Sequence, residues 1–109
     1  MTKYLISFAS GTMTVPEGEW DLVVEESHQV IRDAKAAGVY VFGGGIDESV
    51  EPQLVHADGA VEAVVRNLAG GYTILELPTP EAALEWAQRL ARACRAPQEL
   101  HAFGFDPES

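Results

Sequence analysis

Gly70-Gly71-Tyr72-Thr73-Ile74-Leu75-Glu76-Leu77 runs through Pro78-Thr79-Pro80-Glu81 into Ala82-Ala83-Leu84-Glu85-Trp86-Ala87 and on to Arg95. The segment from Tyr72 to Leu77 is aromatic and β-branched behind a glycine turn, which predicts a strand. Thr79 is a good N-cap because its hydroxyl can accept a backbone N–H of the first helical turn. Pro80 then falls at the first helical position, where a missing N–H costs nothing. Glu81 lies where the helix dipole favours an acid. Leu84, Ala87, Leu90, Ala91 and Cys94 recur at helical spacing with Trp86 beside them, and Pro97 ends the run. Strand, turn and capped helix follow one another here with no spare residues.

Working outward, Gln98 to Phe105 alternates and predicts a last strand, followed by a short tail. At the other end, Lys3-Tyr4-Leu5-Ile6-Ser7-Phe8-Ala9 predicts a buried first strand, and residues 10–17 a loop. From Glu19 to Ala37, the residues Trp20, Val23, Val24, Ser27, Ile31 and Ala34 share one helical stripe. Gly38 stands where a C′ glycine is expected. Val39 to Phe42 predicts a second strand, leading into Gly43-Gly44-Gly45. Asp58-Gly59, between Gln53–Ala57 and Ala60–Val65, is a hairpin signal. Asn67 to Gly71 reads as a turn.

The order is β-α-β, hairpin, β-α-β. That predicts an α+β fold of ferredoxin-like β-α-β-β-α-β type with an extra hairpin, its antiparallel sheet carrying both helices on one face. The strands are apolar on both faces. An uncovered apolar sheet face predicts a homodimer formed through it.

At 109 residues the chain is expected to form one domain, long enough to bury a core unaided. Seventeen acids against seven Lys and Arg give a net charge of −10. Such a surface repels phosphate, which argues against nucleic acid and anionic membranes as partners. Arg89, Arg92 and Arg95 crowd one helix end, where the dipole accounts for them. No apolar run is long enough to span a membrane. The start is too short for a secretory signal, and the lone Cys94 fits a reducing compartment, so a cytoplasmic location is expected.

The block from Gly70 to Ala87 resembles the YCII-related family, in particular its DGPF-domain branch. Glu26-Ser27-His28 and Gly38-Val39-Tyr40-Val41-Phe42-Gly43-Gly44-Gly45 resemble that family's first helix and second strand, so the likeness covers nearly the whole chain. It implies a dimeric α/β barrel of ferredoxin-like subunits. It also implies a first-helix histidine facing a pocket, a position that His28 occupies, and for some members an association with sigma factors. The motif that names the branch is altered, because Asp58-Gly59 is followed by Ala60-Val61 rather than Pro-Phe.

Among side chains that could carry chemistry, His28 lies at the edge of the apolar stripe with Val24, Ile31 and Lys35. There it could act as a general acid or base near neutral pH. Asp47, just past the triple glycine, could orient it, or could simply cap its loop. Phe8, Tyr40, Phe42 and Gly44 are candidates to line a pocket, within an aromatic set that also includes Tyr4 and Phe103, or to be plain core. The triple glycine feeds an acidic loop and not a helix N-terminus, so it implies no phosphate site and no cofactor. His28, His56 and His101 have no metal-ligand spacing. Cys94 reads as an inert buried thiol. Two functional readings remain open: a homodimeric module with a small-molecule pocket near His28, and a cofactor-free isomerase- or lyase-type enzyme using His28. A third, accessory to transcription, follows only from the family likeness.

Overall fold

The strand at the centre of the sequence is also at the centre of the sheet. In the computed structural model, which describes residues 1–64, 68 and 70–109, β5 (Gly70–Leu77) pairs antiparallel with both β1 (Thr2–Ala9) and β2 (Tyr40–Gly45). β6 (Glu99–Ala102) pairs with the other side of β1, giving the order β2-β5-β1-β6. The helices α1 (Trp20–Ala36) and α2 (Pro80–Cys94) join β1 to β2 and β5 to β6. The result is an α+β fold with two helices and a four-stranded antiparallel sheet, compatible with the ferredoxin-like arrangement. β3 (Gln53–Val55) and β4 (Val61–Ala63) form a separate two-stranded ribbon.

One sheet face carries the core. Tyr4, Ile6, Leu75 and Leu77 point from β1 and β5 into a cluster with Val30 and Ala34 of α1 and Ala83, Ala87, Leu90 and Ala93 of α2. Ile6, Leu75 and Leu77 are fully buried, and each such burial contributes roughly 1.5–3 kcal/mol. The two helices are also joined to each other. Arg89 binds Asp33, and Arg95 Nη1 donates to Glu26 Oε2 at 2.5 Å. These arginines therefore bridge to acids of the other helix as well as sitting near a helix end.

The helix boundaries follow their local chemistry. Ala82 N–H donates to the Thr79 hydroxyl at 3.1 Å, as the cap signal requires. Gly38 N–H donates to Lys35 O just past α1. The C-cap of α2 is Arg95, whose left-handed backbone (φ 57°) is unusual for a residue with a side chain.

Four sequence expectations need correction. On α2, Ala83 and Ala93 are buried while Leu84 is exposed, because the face is set by the contact with α1 and not by side-chain size. On α1, Trp20 and Val24 stand out of the core, and the buried stripe is Val23, Val30 and Ala34. The hairpin loop is longer than Asp-Gly alone: Gly59 N–H donates to His56 O, and His56 N–H to Ala60 O. Ala57, Asp58 and Gly59 thus form a three-residue loop, with Gly59 at φ 91° supplying the left-handed residue it needs. The last strand stops at Ala102; Phe103 N–H still donates to Lys3 O of β1 at 2.9 Å, and Gly104 and Phe105 leave the sheet. The turn expected from Asn67 begins outside the described residues, as does Val65.

Candidate functional site

The sheet face opposite the helices is open, and a bulge decides which side chains reach it. Tyr40 pairs with Leu75 and Phe42 with Ile74, so two residues of β2 span one step of β5. The extra residue turns Val41 and Phe42 to the same side and shifts the alternation of everything after it. Tyr40 and Gly43 therefore face the helices, while Val41, Phe42 and Gly44 face away from them.

Cross-strand pairs share a face, so register gives the composition of the open side in rows. One row runs Phe42, Ile74, Leu5, His101, and the next Gly44, Tyr72, Ser7, Glu99. At the far end, Val41, Ile74, Glu76 and Lys3 meet Phe103 and Phe105 of the C-terminal tail around a recess of about 820 Å³. Phe42 is 61% exposed and Phe105 92%. The recess mixes these apolar walls with polar groups: Lys3 Nζ lies 3.6 Å from Glu76 Oε2, and Thr2, Asp106 and Ser109 also line it. Such a lining suits an amphipathic small molecule better than a phosphate.

The side chains singled out by sequence do not converge. His28 lies exposed on α1 and does not line this recess. Asp47 is exposed in the loop after β2, where its Oδ1 accepts Ser49 N–H at 3.0 Å and the Ser49 hydroxyl at 2.6 Å. Those bonds from Ser49 hold its carboxyl below the usual range, and among the described residues none joins it to His28. Phe8 and Tyr40 belong to the helix-facing side, Phe42 and Gly44 to the open side. Tyr40 lies beneath Lys35, whose Nζ is 5.0 Å from the ring centroid. A Cβ at Gly43 would come within 3.2 Å of the Tyr40 hydroxyl, so this part of the triple glycine makes room for a side chain of its own strand.

Other reactive groups are spread apart. His56 Nε2 is 2.7 Å from Glu62 Oε2 on the hairpin, and His101 stands next to Glu99 on β6. Among the described residues, no group of three or more His, Cys, Asp or Glu side chains could hold a metal ion. Burial pushes the Cys94 thiol up, against the pull of Arg95, so it is a poor nucleophile. No helix among the described residues is long and apolar enough to cross a membrane.

The recess residues Lys3, Ile74 and Glu76 sit in strands that the sequence identifies, but as recess residues they were missed. Alternation within β5 sets Ile74 and Glu76 apart from Leu75 and Leu77, and that was the available signal. No family model matches this chain, and neither does any curated protein.

Proposed function

We propose that the chain is one subunit of a homodimer of the YCII-related, DGPF-domain kind, in which two ferredoxin-like subunits close sheet to sheet and the recess at the tail becomes a small-molecule pocket. The observation that carries this reading is the open sheet face. Leu5, Val41, Phe42, Ile74 and Phe103 contribute apolar surface there around the Lys3–Glu76 pair, and among the described residues no helix or strand is packed on it. A sheet with helices on one side must cover its other apolar face or leave it in water, where an apolar patch costs roughly 25 cal/mol per Å². The strand order β2-β5-β1-β6 is consistent with the proposed subunit. Proton transfer by His28 finds less support, because that side chain stands exposed on α1 and lines neither the recess at the tail nor the one on the hairpin. The transcription reading rests on the family likeness alone.

Sedimentation equilibrium tests the proposal. Wild type is expected at twice the chain mass, and Ile74→Glu at the chain mass with an unchanged helix signal. A wild-type protein that stays at the chain mass at about 100 μM, where even weak dimers form, would end this reading.

A further inference from the structure

Each β3–β4 hairpin presents two unlike faces. Val55 stands opposite Val61 and Gln53 opposite Ala63 on one, while Leu54 stands opposite Glu62 on the other, beside the His56–Glu62 contact. Every residue of the two strands is exposed, and none belongs to the buried core. A lone two-stranded ribbon is marginal in water, so this one needs a surface to lie on.

Two quantities point to that surface. The radius of gyration is 15.7 Å, whereas a compact chain of this length has about 13 Å. The subunit is flat and wide, 43 × 43 × 19 Å. The second quantity is area. Strands of eight, six, eight and four residues, at about 16 Å² of sheet per residue, give an open-face footprint of about 420 Å². A stable interface of standard size buries about 800 Å² on each partner. The four strands supply about half of that before the tail residues Phe103 and Phe105 are added.

We infer that the β3–β4 hairpin is an exchange arm whose Val55–Val61 face lies on a second copy of this chain, supplying the area that the sheet faces lack. The inference rests on the proposed dimer and adds the reach of one subunit around the other. Two-fold symmetry makes it reciprocal, so each contact of the arm counts twice. The arm's apolar side then faces the partner, while Glu62 and His56 face water.

Hydrogen exchange and sedimentation on the intact chain separate this inference from the dimer itself. Protection of the hairpin amides is expected to rise with protein concentration, in step with dimer formation. Val55→Glu/Val61→Glu is expected to raise the dimer dissociation constant at least about tenfold. Its monomer should melt as wild type does, since the arm supports no core residue. A wild-type dimer with unprotected hairpin amides, or a double variant that dimerises as wild type, would overturn the arm and leave the dimer standing. A monomeric wild type would overturn both.

Discussion

The two faces of the central sheet are built from the same strands and meet different fates. On one, Tyr4, Ile6, Leu75 and Leu77 disappear beneath two helices. On the other, the alternate residues Leu5 and Ile74 are apolar and only half-buried, and Val41 and Phe42 are exposed. Apolar side chains on a strand need a second layer wherever they point. The helices provide one layer for one face, and among the described residues no helix or strand is packed on the other. This difference, and not any cluster of reactive groups, is the strongest functional signal in the molecule.

The comparison can be broken with neighbouring residues of unlike fate. Ile6→Ala, on the covered face, is expected to cost about 2–5 kcal/mol in urea unfolding of the monomer. Ile74→Ala, in the adjoining strand on the open face, should cost under about 1 kcal/mol at concentrations where the chain is monomeric. Equal costs would mean that the open face is already covered within the subunit.

Gly71 sharpens the same contrast. It pairs with Phe8, and a Cβ there would run into the Phe8 ring, which lies across it on the helix side. Gly71→Ala should destabilise by about 1–3 kcal/mol, read as a lower urea midpoint. At Gly44, on the open side, a Cβ meets nothing closer than 3.8 Å, so Gly44→Ala should leave the midpoint almost unchanged.

The smallest expected effect concerns charge. Hydrogen bonds from Gln29 and then Arg89 hold the Asp33 carboxyl below its usual range. A carboxyl lowered by folding contributes stability above the ordinary value, near about 4, and loses it as the pH falls through the lowered one. Both groups are well exposed, so the contribution is slight. The gap in urea midpoint between wild type and Asp33→Asn should be present at neutral pH and close below about pH 4. A gap that persists in acid would place the effect outside the helix layer's ion pair.

Much of this fold is legible in sequence because its signals are local. Thr79 and Pro80 start α2 where capping chemistry requires, and Gly38 follows α1 as a C′ glycine should. What could not be read depends on partners distant in the chain. Period-two alternation would put Tyr40, Phe42 and Gly44 on one face, and the bulge against Ile74 separates them. A helical wheel favours Leu84 for the core, yet the approach of α1 selects Ala83. His28 sits beside apolar residues on its own helix, but among the described residues no other element buries it. The recess depends on where the tail leaves the sheet after Phe103, which no alternation through Phe105 could reveal.

Isotope-filtered nuclear Overhauser spectroscopy can show whether the open face lies against a second copy. Labelled and unlabelled chains would be mixed at a concentration that sedimentation shows to be dimeric. Intermolecular cross-peaks are expected from the methyl groups of Leu5, Val41 and Ile74. Cross-peaks confined to the exposed helix residues Trp20, Val24 and Leu84, with none from the sheet, would contradict that contact.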